Sequence, residues 1–158
     1  MASTVKAKTL RVTVQEDIVL NGNNYGSKTK LNIPSINEVY KTIVTATTDK
    51  SEIFGFIASG IAKGSFLEAN VRYIRITNLD DTYHVNLFFT NESSDEFAVK
   101  LDKGQSFIYN GDMSGGVVDT MDANSGGAAS SGQLADLTKI SIQTDTASCD
   151  VEVFVASV

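Results

Sequence analysis

The chain contains one histidine and one cysteine, residue types that often serve as catalytic base and nucleophile. A Ser-His-Asp or Cys-His arrangement would have to use His84, which follows the turn NLDDT on the polar face of a predicted strand, where a solvated side chain is expected. Cys149 lies in the strand-like run SCDVEVFV, which predicts a buried, unreactive thiol. The glycine motifs that cradle phosphate are absent. The sequence therefore predicts a protein that is not an enzyme and binds no cofactor.

Acidic side chains and tyrosines are the remaining candidates for binding chemistry. Calcium prefers carboxylate oxygens, and five acids lie in or next to three turns: Asp80, Asp81, Asp95, Glu96 and Asp102. Their spacing matches no EF-hand, and aspartate is common in turns because it bonds nearby backbone, so no metal is predicted. Tyr25, Tyr83 and Tyr109 lie near loops or strand ends and leave a glycan-binding platform open as an alternative.

Residues 71–109 are the scaffold that would have to position any site. Four apolar runs alternate with the short polar connectors NLDDT, NESSD and DKG, whose residues favour turns. Val85, Leu87 and Phe89 recur at every second position, as expected for a half-buried strand. Strands joined so tightly cannot be parallel neighbours, so this segment predicts a four-stranded antiparallel meander.

The rest of the chain shows the same alternation of short apolar runs and polar turns. Further strands are predicted at these residues: 10–14, 28–33, 39–46, 52–58, 137–144 and 148–156. Ser35 and Glu38 match a helix capping box and predict one helical turn before residue 39. The fold class predicted is all-β: a single domain over residues 1–158, an antiparallel β-sandwich of about nine or ten strands, jelly-roll-like in its order.

A Gly/Ser-rich segment at residues 110–132 interrupts this pattern and predicts a long flexible loop or arm. Its apolar anchors are Val117, Val118 and Met121. Exposed apolar residues in a polar loop usually find a partner, so these three are the candidate interface residues. The alternative, that they pack onto their own domain, remains open.

Charge and hydropathy narrow the class of partner. The 158 residues are 42% hydrophobic and 20% charged, with a net charge of −6 and a sequence pI near 4.7. An acidic chain is a poor ligand for the phosphate backbone of nucleic acid. No apolar run reaches the ~18 to 20 residues of a membrane span, and no signal peptide is recognised at the N-terminus, so synthesis in a cytoplasm is expected.

Four segments carry a resemblance to a known class of protein: IVLNGNNYGS at residues 18–27, IRITNLDDT at 74–82, DEFAVKLDKGQSF at 95–107 and VEVFVAS at 151–157. In these segments the chain resembles small virion structural proteins of marine tailed bacteriophages. The resemblance implies a component of the assembled particle, made in the host cytoplasm and located in the virion. Its partners would be major capsid or tail proteins.

Together with the residue inventory, the resemblance predicts a capsid decoration or cement protein. A small acidic β-domain suits repeated copies on a larger surface, so a homo-oligomer is expected, most simply a trimer. A tail or spike component with a receptor- or glycan-binding role is the alternative.

Overall fold

The structure is a computed structural model that describes residues 5–111, 114–121 and 134–158. These residues form β-strands without a helix, thirteen in all. The strands are β1 Lys8–Gln15, β2 Val19–Leu20, β3 Asn23–Asn24, β4 Lys28–Ile36, β5 Glu38–Ala46, β6 Ser51–Ile57, β7 Ser65–Leu67, β8 Val71–Asn78, β9 Val85–Asn91, β10 Glu96–Leu101, β11 Ser106–Asn110, β12 Leu137–Thr144 and β13 Cys149–Ser157.

Eight of the strands form one antiparallel ribbon that is rolled into two sheets. β9 pairs with β10, β8 with β11, β6 with β12 and β5 with β13, so four ladders are nested around the connection at residues 92–95. Rolling the ribbon brings β9 beside β12 and β8 beside β13. The sheets have the orders β10-β9-β12-β6-β7 and β11-β8-β13-β5. This nesting is the jelly-roll topology, so the predicted all-β sandwich is confirmed.

The predicted meander at residues 71–109 is wrong. β8 and β9 lie in different sheets, and so do β10 and β11, because the connections at residues 79–84 and 102–105 cross from one sheet to the other. A strand of either sheet turns every second side chain toward the same interior, so the period-2 pattern is identical in a meander and in a roll. The pattern therefore located the strands without determining their partners.

Asn78 fixes the corner where these two connections meet. Its side chain is fully buried, and its amide nitrogen donates to the carbonyl oxygens of Tyr83 at 2.9 Å and Leu101 at 3.2 Å. Its side-chain oxygen accepts from the backbone N–H of Asp80 at 3.0 Å. The backbone of Asn78 also accepts from the N–H of Gly104 at 3.1 Å. One buried amide thus holds both crossings.

Apolar side chains fill the space between the sheets. Aliphatic residues from both sheets are fully buried there, among them Ile74, Ile76, Leu87, Ile140 and Val153. Phe89 stacks on Phe97 with ring centroids 4.8 Å apart and meets Phe107 of the other sheet at 4.9 Å. Because these groups occupy the interior of the roll, binding chemistry has to take place on the outside.

Outside the two sheets, β1 and β4 form an antiparallel ribbon with the small β2–β3 ladder near its far end. We call residues 8–36 the arm. Its base lies on the outer face of the four-stranded sheet, where Ile33 and Ile36 pack against Tyr73 and Ala156. Tyr73 and Ala156 alternate with the inward-facing residues of β8 and β13, so the base of the arm covers part of the outer face of this sheet, while Val39 and Ile43 of β5 stay exposed on it.

The helical turn predicted at Ser35 and Glu38 is wrong. Ser35 lies in β4 with a φ of 65°, and Glu38 begins β5. The backbone N–H of Asn37 donates to the carbonyl of Ser157 at 3.1 Å, and all nine residues of β5 pair with β13. A ladder of this length, built on β-branched residues, outweighs a local capping signal.

The predicted loop at residues 110–132 falls partly on residues 112–113 and 122–133, which lie outside the described residues. Its described part, residues 114–121, packs on the body. The N–H of Val117 donates to the carbonyl of Glu68 at 2.9 Å, and Met121 forms a β-bridge with Ala135. Gly116 has a φ of 74°, and a Cβ at this position would overlap the carbonyl oxygen of Glu68. Only glycine fits so close an approach.

Candidate interaction surface

His84 and Cys149 lie near one end of the sandwich. The imidazole Nε2 of His84 is 3.5 Å from the carboxylate of Asp145, whose side chain is more exposed than the ring. The Sγ of Cys149 is 3.8 Å from the carbonyl oxygen of His84, so the thiol meets backbone there. Burial raises the pKa of the Cys149 thiol, and the carboxylates of Asp80, Asp145 and Asp150 raise it further. The prediction of a buried thiol is confirmed.

The carboxylates in and beside the turns accept hydrogen bonds from nearby backbone N–H groups or pair with a lysine. Asp80 accepts from the N–H groups of Tyr83 at 2.6 Å and Thr82 at 2.8 Å, and these bonds lower its pKa. Glu96 pairs with the Nζ of Lys50 at 2.6 Å, which is the main reason its pKa is lowered. Within the described ranges, no three His, Cys, Asp or Glu residues are grouped so as to hold a metal ion.

The predicted interface residues lie mostly inside the molecule. Val117 and Met121 are buried and belong to the main core cluster, while Val118 is partly exposed. Two of the three thus pack onto their own domain, the alternative left open from the sequence. Partner binding by these residues stays a prediction, and the surfaces described below are built from other residues.

The three loop tyrosines are spread over separate elements. Tyr25 is exposed on the arm, Tyr83 is exposed in the connection after β8, and Tyr109 is partly buried in β11 and packed against the core. A glycan platform needs ring faces that lie side by side, and three rings on three elements do not supply one by themselves.

The far end of the arm carries a cluster of exposed apolar side chains. Contacts of the arm with the body involve Leu10, Val12 and Leu31 beside its buried base. Beyond them the apolar residues face solvent, with Val19 62% exposed and Tyr25 65% exposed. We call these exposed residues together the tip patch: Val14, Ile18, Val19, Leu20 and Tyr25. Val19 and Leu20 point to opposite faces of the β2–β3 ladder, so the apolar side chains are distributed over both faces of the tip. Several large apolar side chains exposed in one short segment make this end of the arm a candidate interaction site.

A second apolar surface lies on one side of the sandwich, at the open edges of both sheets. β5 and β7 end their sheets, so each has a backbone edge that pairs with no described strand. A groove of about 330 Å³ opens beside them, and we call it the edge groove; its lining includes Glu38, Ile57, Ile61, Phe66, Leu67 and Asn70. Ile61 is fully exposed, and the ring of Tyr40 in β5, 41% exposed, contacts that of Phe66 at the groove. Val39 and Ile43 are also exposed, but on the opposite face of β5.

Sequence patterns did not single out these two surfaces. Ile18, Val19 and Leu20 form an apolar run of the kind that usually indicates a buried strand, yet all three are exposed. A usable signal for the groove was Ile61 itself, a lone large aliphatic residue in the glycine-bounded loop GIAKGS.

Among the residues that the structure describes, no helix has the length and apolar character that a membrane crossing requires. No family model matches the chain, and none of the curated proteins matches it. Among solved structures, a chain of the Bacillus endospore appendages, a novel family of disulfide-linked pili, is similar with a TM-score of 0.41. The two chains are 7% identical, and the match covers 99% of this chain and 94% of that one. A TM-score of this size does not establish a shared fold.

Proposed function

We propose that this chain is a non-enzymatic structural protein of a tailed-phage virion, which binds the assembled particle as a capsid decoration or cement protein. The observation that supports the proposal is the tip patch: an arm whose base packs on the body presents several large apolar side chains to solvent at its far end. Such a surface is built for contact with another protein. Jelly rolls recur in viral capsids, although a fold alone does not assign a function.

The packed interior of the roll supports a binding role over a catalytic one. Fully buried aliphatic residues occupy the space where other rolls hold a ligand, and Ile74, Leu87 and Ile140 meet there from the two sheets. A rigid, filled body suits a protein whose work is done by its outer surfaces.

Cementing would follow from mass action. A protein that binds only the assembled lattice lowers the free energy of that state, by ~2.7 kcal/mol per site at a hundredfold excess over Kd. Repeated copies, most simply trimers, would place many such contacts over the joints between capsid subunits. The expected partners are therefore major capsid or tail proteins.

Particles produced by a phage from whose genome this reading frame is deleted test the proposal. The protein is expected in many copies in wild-type particles, and particles that lack it are expected to release their genome at a lower temperature. Adding back the purified protein should restore the release temperature, whereas a Val19→Asp/Leu20→Asp variant should not. Particles of unchanged stability, or absence of the protein from purified particles, would contradict the proposal.

A tail or spike protein that binds a receptor or glycan is the second candidate. The exposed Tyr25 at the tip supports it, because tyrosine is common at recognition surfaces. This alternative predicts few copies per particle and binding of the isolated protein to host cells. Quantitative gel analysis of purified virions separates the two candidates. Hydrolytic activity that His84→Ala abolishes would contradict both.

A further inference from the structure

We propose that Arg72 binds a small oxyanion, a carboxylate or a phosphate group, in a cavity at the base of the arm. The cavity has a volume of about 200 Å³ and is lined by Pro34, Ser35, Arg72 and Val158. The inference goes beyond the proposed function and does not depend on it. It concerns a site on the isolated protein, so a failure to bind anions is distinguishable from a failure to bind particles.

Arg72 carries a buried charge that pairs with no acidic side chain of the described ranges. The residue is only 8% exposed, and none of the five ion pairs in that part of the chain involves it. The acid nearest to it in sequence is Glu68. Burial raises the pKa of Glu68, and the carboxylates of Asp136 and Glu92 raise it further, so Glu68 lies among acids. A buried charge is costly unless it is paired, which makes an anion a favourable ligand for Arg72.

Two backbone carbonyls occupy part of the Arg72 guanidinium. One terminal nitrogen donates to the carbonyl oxygen of Ala69 at 2.6 Å, and the other donates to that of Ser114 at 3.5 Å. These bonds fix the orientation of the side chain. A guanidinium has five N–H donors in a planar fork, so two such bonds do not use all of them. Arginine binds carboxylate and phosphate groups through paired hydrogen bonds of the kind that the other donors can form.

Two β-bulges meet at this cavity. The register of β8 against β13 shifts at Arg72, which is therefore an extra residue without a partner on β13. The register of β4 against β1 shifts in the same way at Pro34 and Ser35. A bulge takes a residue out of the ladder and re-aims its side chain, and bulges are common beside functional sites. The two bulges bring Arg72 and Ser35 to the wall of one cavity.

Ser35 adds a hydroxyl group and an unusual backbone conformation to the cavity. Its φ of 65° lies in the left-handed region, which residues other than glycine rarely adopt. Such conformations persist where the surrounding structure imposes them, and they cluster at ligand-binding sites. Pro34 and Ser35 are exposed, so a small ion can enter from solvent. The volume suits a small ion, because pockets for drug-sized ligands usually measure ~300 to 1,000 Å³.

Titration of the isotope-labelled protein with sodium phosphate, and separately with sodium acetate, tests the site by NMR. Ionic strength is held constant with sodium chloride, so that general screening does not change. The Nε–Hε resonance of Arg72 and the backbone amides of Ser35 and Val158 report on the cavity. All three are expected to shift along one saturable curve with a Kd of roughly 1 to 10 mM. The anion that binds more tightly identifies the group that the site prefers.

Two arginine variants separate this site from general charge effects. Arg72→Gln removes the cation and should weaken binding by about tenfold or more, because a hydrogen bond to a charged group is lost. Arg75→Gln is the matched control. Arg75 lies in the same strand but outside the cavity, and its guanidinium already pairs with the carboxylate of Glu152 at 2.6 Å. The control should bind both anions as the wild type does.

The wild-type titration decides the question if Arg72→Gln does not fold. Absence of a saturable shift of the Arg72 Nε–Hε resonance up to ~50 mM of either anion, several times the expected Kd, would show that Arg72 has a structural role only and would overturn the proposal. An Arg72→Gln protein that binds as tightly as the wild type would overturn it too. So would an Arg75→Gln protein that loses binding to the same extent as Arg72→Gln.

Discussion

Asn78 offers the sharpest test of how the roll is held together. The change is Asn78→Ala, which removes the buried amide that joins the two connections between the sheets. Its side chain makes three hydrogen bonds, two as donor to the carbonyls of Tyr83 and Leu101 and one as acceptor from the N–H of Asp80. All three partners are backbone groups, two in the connection at residues 79–84 and one at the end of β10, and the side chain of Asn78 is fully buried.

The expected loss follows from those bonds. A buried hydrogen bond contributes about 1 kcal/mol net, and a carbonyl or N–H left unpaired away from water adds to the loss, so Asn78→Ala should lower the free energy of unfolding by about 3 to 4 kcal/mol. For a domain of this size that is a fall in Tm of roughly 10 °C. Asn78→Asp should cost more near neutral pH, because its carboxylate would face two carbonyl oxygens in a closed site.

Urea unfolding followed by circular dichroism measures both variants. The midpoint should fall while the slope m stays unchanged, since the surface exposed on unfolding is the same. Asn32→Ala, at an exposed position of β4, is the control and should stay within about 0.5 kcal/mol of the wild type. If Asn78→Ala costs less than ~1 kcal/mol on the same scale, the corner is held by something other than this amide.

Three further changes probe other parts of the body. Burial, and then the carboxylates of Asp136 and Glu92, raise the pKa of Glu68. The charged form of Glu68 therefore destabilises the fold as pH rises through that pKa. Glu68→Gln should raise the urea midpoint at about pH 7 and leave it unchanged at about pH 4. Gly116→Ala should cost about 2 kcal/mol more than Gly60→Ala, which shares a positive φ but has open space for a Cβ. The Cys149 thiol should react with a thiol-specific reagent only after unfolding, because it is buried and its pKa is raised; rapid reaction of the folded protein would contradict this.

Strand positions were accessible from the sequence because they depend on local alternation. The predicted strands at residues 39–46 and 137–144 match β5 and β12 to within a residue at each end. Turn residues also marked the connection after β9, where Asn91 accepts at its side-chain oxygen from the N–H of Asp95 at 2.8 Å. These are interactions over a few residues, which sequence patterns report directly.

Strand partners and exposed surfaces were not accessible in the same way. The connection at residues 102–105 has the composition of a hairpin turn. Its backbone nevertheless bonds to Asn78, which is distant in sequence, and the chain then continues in the other sheet. Likewise, the apolar character of Val19 and Leu20 predicts core residues, but both side chains are exposed at the end of the arm. Both outcomes depend on long-range packing, which a pattern of apolar residues does not encode.

The position of β13 has a consequence for how the chain is made. This strand lies between β8 and β5, yet it follows both of them by dozens of residues along the sequence. Until β13 has been synthesised, β8 is paired on one side only, by β11, and β5 lacks its neighbour in the sheet. A nascent chain stalled before residue 149 would expose the unpaired edges and apolar faces of β5 and β8, even if β9 and β10 pair quickly. Steady translation through the last strand, or a chaperone that covers the unpaired edges, would therefore favour correct folding.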